Sequence, residues 1–329
     1  MDTTRGDETR KDEDQRARWN GTAGHAWVEA QSVIDELFKP FEELLVEAVA
    51  AGHGRRVLDV GCGTGSTTLA VARRIGAYGP GGEGLDAEGI DAEVGCVGVD
   101  VSEPMITAAR ARAERAGAER AGAAGTGALG AEAMGAETVR GGPPVSFVLA
   151  DAQEHAFEPG TFDTVISRFG VMFFRDAVRA FANLRRAASD NAGLTCITWR
   201  GPEENPFMTT AERAARPLMP DLPVRRPDEP GQFAFADPAR VRRILEDSGW
   251  TGVDIRPLDV VCTLPESELV PYFSRFGPLG LILREADERT RARVVEAVRA
   301  AFDPFVRGPE VRFTAACWTV RATAGGSPA

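Results

Sequence analysis

Residues 59–65 form a glycine-rich segment whose residue types and spacing could hold a small charged ligand. Its glycines, Gly61, Gly63 and Gly65, allow a tight turn and let a ligand approach the backbone without meeting a Cβ atom. The spacing is G-x-G-x-G, whereas dinucleotide-binding proteins use G-x-G-x-x-G. Because Asp59 stands on the strand just before the loop, the segment suits a cationic or amino-bearing ligand better than a pyrophosphate.

Two further polar groups follow the next two predicted strands. Asp100 ends the second strand, where a carboxylate could accept hydrogen bonds from both hydroxyl groups of a ribose. Asp151 and Gln153 follow the third strand, where an acid and an amide could bind the edge of an adenine. Parallel strands bind ligands outside their carboxyl ends. The three strand ends therefore predict a site for one nucleoside.

An alternation of strands and helices positions these residues. Strands are predicted over 56–60, 94–99, 145–149, 162–167, 194–199, 253–257 and 310–319, and helices over 66–75, 104–116, 177–188 and 238–248. This order predicts an α/β fold with a doubly wound, mostly parallel, seven-stranded sheet. Residues 17–51 precede it as an N-terminal helical lid, which Pro40 is expected to divide into two helices.

The remaining segments complete the predicted organisation. Residues 1–16 are charged and are predicted to be a disordered tail. Residues 52–200 form the core, with low-complexity insertions at 76–93 and 117–143 that contain few large apolar side chains. Residues 201–237 and 265–307 carry aromatic residues and are predicted to be substrate lid insertions. Residues 238–264 and 308–322 complete the core sheet.

The composition argues against several classes of protein. The net charge of −11 disfavours nucleic acid and anionic membranes as partners. The five cysteines lack C-x-x-C spacing, so neither a disulfide scaffold nor a zinc site is expected, and no metal is predicted. No apolar run could span a bilayer and no signal peptide is visible, which predicts a cytoplasmic protein. Nothing in the sequence indicates an oligomeric state.

Four segments together resemble the class I S-adenosylmethionine-dependent methyltransferases, in particular a bacterial small-molecule branch. They are VLDVGCGTG (57–65), GVDVSEPMI (98–106), ADAQ (150–153) and FDTVISRFGVMFF (162–174). The stretches from Trp19 to Trp27 and from Trp199 to Pro206 resemble the same branch. The resemblance covers roughly residues 19–320 apart from the two insertions. It implies a Rossmann-like fold, S-adenosylmethionine as the cofactor and S-adenosylhomocysteine as the product.

The resemblance also implies roles for individual residues. Asp59 and the loop glycines would hold the amino acid end of the cofactor, Asp100 the ribose and Asp151 the adenine. Trp19 and Trp27 would close over the cofactor, although ordinary packing is an alternative for both. The predicted cofactor-binding set is Trp19, Trp27, Asp59, Gly61, Cys62, Gly63, Asp100, Val101, Met105, Asp151, Ala152, Gln153 and Ser167.

Methyl transfer from a sulfonium is an in-line displacement, in which the protein aligns donor and acceptor and excludes water. A base is needed only if the acceptor must lose a proton. The catalytic candidates are His25, His155 and Arg168. For His155 the alternative is a supporting role in its loop. Arg168 could bind a carboxylate or phosphate of the substrate or form a structural ion pair.

The apolar run 169–174 and the lid aromatics predict a small-molecule substrate that is largely apolar. Arg200 and Asn205 follow the fifth strand at the same edge, where Asn205 could orient a polar acceptor or cap the loop. The predicted substrate-binding residues are Arg168, Phe169, Met172, Phe173, Arg200, Asn205, Tyr272 and Phe276.

Three functions remain open at this stage. The leading one is methyl transfer to an O, C or N atom of a small molecule, with specialised metabolism as a plausible setting. The alternative is an enzyme of the same fold that catalyses a cyclisation or another alkyl transfer. A non-catalytic nucleoside-binding protein ranks last because the glycines and acids of the motifs are all present.

Overall fold

The computed structural model describes residues 17, 19–77, 95–123, 145–224 and 229–325. The predicted tail, 1–16, and most of the two predicted insertions lie outside these residues. Residues 76 and 77 belong to the helix Ser66–Ala77, and residues 117–123 belong to the helix Glu103–Ala123. Both predicted insertion boundaries are therefore too early. Alanine, glutamate and arginine support a helix, and they outweigh the glycines at 117 and 122.

Within the described residues, eight strands form one sheet. They are β1 Arg56–Val60, β2 Gly95–Asp100, β3 Val145–Leu149, β4 Phe162–Arg168, β5 Ala188–Trp199, β6 Trp250–Pro265, β7 Val306–Arg307 and β8 Glu310–Ala324. Seven follow the order β3-β2-β1-β4-β5-β8-β6, and the two-residue β7 pairs with β8. Strands β1 to β5 pair in parallel, while β8 runs antiparallel to β5 and β6. The predicted mostly parallel seven-stranded sheet is confirmed, and β7 is an addition.

Ten helices are described around the sheet. They are α1 Thr22–Glu29, α2 Gln31–Ala51, α3 Ser66–Ala77, α4 Glu103–Ala123, α5 Ala177–Ala187, α6 Pro206–Ala215, α7 Pro238–Asp247, α8 Leu269–Arg275, α9 Gly277–Glu285 and α10 Glu288–Ala301. Helix α2 lies against α3 and against strands β4 and β5. No described helix is both long and apolar enough to cross a membrane.

The break between the two N-terminal helices falls at Ala30, so the predicted division at Pro40 is wrong. Pro40 lies inside α2, where it removes one backbone hydrogen bond. The helix continues because tertiary packing supplies most of the stability of a helix in a protein. Its buried stripe consists of Ile34, Leu37, Phe38, Phe41, Leu45 and Val49.

Strands β6 and β8 are much longer than predicted, and this length positions part of the site. Their ladder runs from Trp250 opposite Ala324 to Pro265 opposite Glu310. Strand β5 ends at Trp199, which pairs with Cys317. Residues 310–316 of β8 therefore continue past the carboxyl end of β5. The paired strands form a ribbon that projects on the ligand side of the sheet.

Helices α8 to α10 connect the ends of this ribbon, and α6 packs beside them. We call α6 and α8–α10 the cap. Aromatic rings hold it together: Phe207 of α6 stacks on Phe313 of β8 at 3.7 Å, and Phe273 of α8 lies parallel to Phe302 at 5.8 Å. The cap thus has its own apolar core and sits above the strand ends that carry the predicted motifs.

Candidate active site

A cavity of about 650 Å³ lies between the strand ends and the cap. The glycine loop, the ends of β2, β3 and β4, and helices α1 and α2 form one part of its wall. The cap and the segment around residues 229–236 form the other part. The carboxyl edge of the sheet and the cap therefore enclose one continuous space.

All three glycines of the loop adopt positive φ angles, which are +69° for Gly61, +55° for Gly63 and +81° for Gly65. A Cβ atom at Gly61 would lie 2.6 Å from the Cα of Gly170, and one at Gly65 would lie 2.7 Å from the Phe147 ring. The N–H groups of Gly61 and Cys62 both donate to the Val99 carbonyl, at 2.8 and 3.1 Å. The turn therefore requires glycine and is pinned to β2.

Asp59 lies on β1 with only 2% of its surface exposed. Its Oδ2 accepts a hydrogen bond from Thr68 Oγ1 at 2.6 Å. Burial raises the pKa of Asp59 to about 6, against the Thr68 hydrogen bond and the charge of Arg168, which lower it. A positive group nearby would restore the ionised form, so this carboxyl group favours a cationic ligand.

Asp100 joins the glycine loop to the turn that follows β2, with one oxygen bonded to each. Oδ2 accepts from the Gly63 N–H at 2.9 Å, and Oδ1 accepts from the Ser102 N–H at 2.9 Å. Burial raises the pKa of Asp100, while these backbone hydrogen bonds lower it. Each carboxylate oxygen has a second lone pair, so Asp100 can still accept from two hydroxyl groups of a ligand in the cavity.

Asp151, Ala152 and Gln153 line the cavity beyond β3. Asp151 Oδ1 accepts from the Gln153 N–H, and Gln153 Oε1 accepts from the Asp176 N–H, both at 2.9 Å. Gln153 Nε2 is buried and has no partner within the described part of the chain. A buried amide N–H without an acceptor is costly, so a ligand acceptor would be favourable at this place.

The N-terminal segment covers the same end of the cavity. Trp19 and Trp27 both line it, with ring centroids 6.3 Å apart. The Trp19 carbonyl accepts from Ser102 Oγ at 2.7 Å, and Asn20 Nδ2 donates to the Val101 carbonyl at 2.9 Å. These two bonds fasten the segment to the residues that follow Asp100. Val101 and Met105 line the cavity beneath it.

The structure places Ser167, a predicted cofactor-binding residue, outside the cavity wall. It is fully buried. Its hydroxyl donates to the Val60 carbonyl at 2.8 Å and accepts from the N–H groups of Gly170 and Val171 at 3.2 Å. Ser167 therefore ties the turn after β4 to the glycine loop and has no hydrogen-bonding capacity left for a ligand.

The two histidines proposed for catalysis, His25 and His155, lie outside the cavity wall. His25 is exposed on α1. Residues 23 and 27 line the cavity, and because a helix turns about 100° per residue, the residue midway between them points away. His155 packs its ring edge against Phe157 at 4.7 Å. Its N–H closes a turn onto the Asp151 carbonyl at 2.8 Å, and the chain then leaves the site.

Arg200 and Asn205, two predicted substrate-binding residues, also lie outside the cavity wall and bind other parts of the protein. Arg200 forms ion pairs with Glu204 at 2.6 Å and Asp259 at 2.9 Å. Asn205 is 1% exposed; its Nδ2 donates to the Ala316 carbonyl and its Oδ1 accepts from the Ala316 N–H, both at 2.9 Å. The Asn205 side-chain amide therefore pairs with Ala316 in the way that the backbone of a neighbouring strand would. It can do so because the loop after β5 folds back onto the ribbon.

The apolar half of the cavity contains the remaining predicted substrate-binding residues, Phe169, Met172, Phe173, Tyr272 and Phe276. Phe169 has a φ of +66°, which is rare for a residue with a side chain. Its ring stacks on Trp199 at 4.7 Å with an angle of 12° between the planes. Strained backbone of this kind concentrates at functional sites. The ring contacts hold Phe169 in this conformation at the cavity wall.

Several cavity residues escaped the sequence analysis: Asp35, Phe38, Thr67, Trp199, Met208, Glu212 and Arg275. Asp35 offered a signal, because it is an acid beside the apolar stripe of α2. Trp199 offered another, because it ends a parallel strand at the ligand edge. The cap residues offered no such signal, because the sequence of an amphipathic helix shows which face is apolar but not what that face covers. No group of His, Cys, Asp and Glu side chains in the described residues could hold a metal ion.

Comparison with known proteins agrees with this geometry. A family model for a methyltransferase domain matches residues 58–195. The aklanonic acid methyltransferase DauC of Streptomyces sp. (strain C5) is 29% identical over 148 residues, which make up 45% of this chain and 49% of that protein. The demethylmenaquinone methyltransferase of Renibacterium salmoninarum is 23% identical over 227 residues, or 67% of this chain and 76% of that protein. The match thus spans about half the length of the first relative.

Among solved structures, the YcgJ protein of Bacillus subtilis has a TM-score of 0.50 and 13% sequence identity, over 87% of this chain and 98% of that one. This likeness concerns the fold alone. The domain match falls on the glycine loop and on the strand ends that carry Asp59, Asp100 and Asp151. Over residues 58–195 the chain is therefore similar to a methyltransferase domain, in agreement with the resemblance found in its sequence motifs.

Proposed function

We propose that this protein transfers the methyl group of S-adenosylmethionine to a small, largely apolar organic molecule. The observation that carries the proposal is the two-sided character of the cavity. Buried acids and a glycine loop line one end, and aromatic and aliphatic side chains of the β4 turn and the cap line the other. A polar nucleoside and an apolar acceptor can therefore lie in one continuous cavity.

The residues at the polar end of the cavity have properties that suit S-adenosylmethionine. Asp100 keeps free lone pairs for a ribose, and Gln153 Nε2 lacks an acceptor among the described residues. We assign the ribose to Asp100 and the adenine edge to Asp151 and Gln153.

When bound, S-adenosylmethionine supplies a methyl group already activated on its sulfonium. The protein's part is then to orient both partners and to exclude water. Phe169, Phe173 and Trp19 are placed for this work at the junction of the two halves, where the Trp19 and Phe173 rings meet edge to face at 5.2 Å. Aromatic walls of this kind exclude water and favour an apolar acceptor.

The relatives support the substrate class by name. One is named for aklanonic acid and the other for demethylmenaquinone, both small organic molecules. No histidine lines the described part of the cavity wall. Glu212 and Tyr272 of the cap line the cavity and are candidates for removing a proton from an acceptor, where the reaction requires it.

The test begins with binding and ends with product analysis. Isothermal titration calorimetry with S-adenosylhomocysteine should show one site, and Asp100→Ala should weaken it about 10-fold or more, since hydrogen bonds to charged groups contribute about 1.5–3 kcal/mol. Exposed Glu158→Ala is the matched control and should leave binding unchanged.

The second step is incubation with methyl-labelled S-adenosylmethionine and a panel of quinols and polycyclic aromatic acids. Labelled product together with S-adenosylhomocysteine is expected for at least one acceptor. A wild-type protein that binds neither form of the cofactor would overturn the proposal. Conversion of an acceptor without release of S-adenosylhomocysteine would instead indicate a cyclisation or another alkyl transfer.

A further inference from the structure

Arg168, at the carboxyl end of β4, lines the cavity and is poorly satisfied by the protein itself. Within the described residues its guanidinium makes one hydrogen bond, a long one of 3.4 Å from Nη1 to the Phe38 carbonyl. Burial lowers the pKa of Arg168, although nearby carboxylates raise it. A guanidinium nevertheless stays charged in proteins. A charged donor group therefore faces the cavity with most of its N–H groups unused.

The carboxylates around Arg168 do not neutralise it directly. Asp59 accepts from Thr68 at 2.6 Å, and Asp35 pairs with Arg112 at 2.8 Å. Glu42 accepts a hydrogen bond from Ser66. These acids act on the pKa of Arg168, but no ion pair joins any of them to it in the described part of the chain. The structural ion pair considered from the sequence is therefore absent, and Arg168 remains available to a ligand.

The position of Arg168 indicates which part of a ligand it would meet. Strands β1 and β4 are neighbours, and Asp59 lies opposite Ile166 in their register. Arg168 lies two residues further along β4, or about 6–7 Å at the usual rise of a strand. A buried acid and a free guanidinium are thus set side by side at the glycine loop. A ligand that fits both carries a cation and an anion close together, as an α-amino acid does.

We infer that Arg168 binds the α-carboxylate of the methionine part of the cofactor, while the acidic side chains beside it, with Asp59 foremost, bind the α-ammonium group. This inference rests on the proposed function and assigns Arg168 to the cofactor instead of to the acceptor or to catalysis. The hydroxyl of Thr67 lines the same part of the cavity and has no partner in the described residues, so it offers a second donor to the carboxylate.

The charged side chains around Arg168 match a ligand that carries both an ammonium group and a carboxylate. Three carboxylates, Asp35, Glu42 and Asp59, surround the two guanidiniums of Arg112 and Arg168. When all five of these side chains are ionised, they carry one net negative charge. S-adenosylmethionine carries an ammonium, a carboxylate and a sulfonium, and so one net positive charge. Recognition of both ends of the amino acid would make the site reject thioadenosines that lack it.

The test compares ligands that differ only at the amino acid. S-adenosylhomocysteine carries the complete group, its decarboxylated analogue lacks the carboxylate, and 5′-methylthioadenosine lacks the whole amino acid. We expect Arg168→Met to weaken S-adenosylhomocysteine about 10- to 100-fold, the range for a charge-assisted hydrogen bond pair. The dissociation constants of the two truncated ligands should change less than about 2-fold. Arg168→Lys should recover part of the loss, because it keeps the charge without the bidentate geometry.

Arg243→Met is the matched control, because Arg243 is an exposed arginine of α7 that does not line the cavity. It should leave all three dissociation constants unchanged. Equal weakening of all three ligands by Arg168→Met would show a structural role and overturn the inference, as would no weakening of S-adenosylhomocysteine. If Arg168→Met does not fold, the wild-type protein still decides, because it must bind the decarboxylated analogue at least about 10-fold more weakly than S-adenosylhomocysteine. A wild-type protein that binds none of the three ligands refutes the proposed function itself.

Discussion

Gly61 and Gly170 meet backbone to backbone, so that a Cβ atom on Gly61 would lie 2.6 Å from the Cα of Gly170. A Cβ atom on Gly170 would in turn lie 2.5 Å from the Val60 carbonyl oxygen. The turns after β1 and β4 thus share one narrow contact, which Ser167 fastens through its three hydrogen bonds. This contact sets the distance between the glycine loop and the segment that carries Arg168 and Phe169.

The contact predicts that Gly61→Ala destabilises the protein much more than the unfavourable φ angle of an alanine would by itself. Gly160 is a matched control, because its φ of +66° is close to the +69° of Gly61 but nothing lies within 4 Å of its Cβ position. Gly160→Ala should cost about 1–2 kcal/mol in the free energy of unfolding and leave S-adenosylhomocysteine binding intact. Gly61→Ala should cost more and should abolish binding. Equal effects in urea unfolding and calorimetry would show that the close approach is unimportant.

The raised pKa of Asp59 predicts a pH dependence with a defined sign. Its folded value of about 6 exceeds the unfolded value of 3.8. The protonated form therefore stabilises the ligand-free fold below about pH 4, and this stability is lost as pH rises through 6. Asp59→Asn should remove the loss, so the variant should gain stability relative to wild type between pH 4 and 7 in urea unfolding. A constant difference across that range would contradict the assignment.

Ligand binding should depend on the pH in the opposite direction. The Asp59 carboxylate attracts the ammonium of S-adenosylhomocysteine only when ionised, so affinity should rise as the pH increases through about 6. Calorimetric titrations between pH 5 and 7.5 measure this. Asp59→Asn should bind more weakly at pH 7.5 and show a flatter profile. A profile that keeps its slope in the variant would assign the titration to another group.

Asn205 provides a test of its framework role. Asn205→Ala leaves the N–H and carbonyl of Ala316 without their side-chain partners, which should cost about 2–4 kcal/mol in the free energy of unfolding. The dissociation constant of S-adenosylhomocysteine should not change. Thr209→Ala removes an exposed hydroxyl from the same helix and should cost less than about 0.5 kcal/mol. A stable Asn205→Ala variant that loses only acceptor affinity would restore the substrate-binding interpretation.

The bond between Ser102 and Trp19 predicts an effect on cofactor release. Ser102→Ala removes the hydroxyl that donates to the Trp19 carbonyl and should loosen the N-terminal segment over the nucleoside. Dissociation of S-adenosylhomocysteine should become several-fold faster, and 5′-methylthioadenosine should be affected equally. Stopped-flow tryptophan fluorescence measures both rates. Thr161→Ala, which removes an exposed hydroxyl at the opposite edge of the sheet, should leave them unchanged.

The sequence alone determined the cofactor half of this protein. Glycines with positive φ and acids at the ends of parallel strands are local features, and the carboxyl ends of such strands necessarily meet at one edge. Asp59, Asp100 and Asp151 can therefore be placed together from the sequence alone. The alternation of strands and helices predicted the sheet for the same reason, since each element is visible in its own periodicity.

Only the tertiary structure decided which side chains reach the cavity. His25 and Trp27 lie two residues apart, and the turn of α1 alone sends one to solvent and the other to the site. Asn205 binds the ribbon because β6 and β8 extend past the end of β5. The length of these two strands depends on pairing between segments that are distant in the sequence. Arg168 looked suited to a substrate or an ion pair. The inference that Arg168 binds the cofactor depends on each neighbouring acid having another partner. Those partnerships form only when four separate elements pack together.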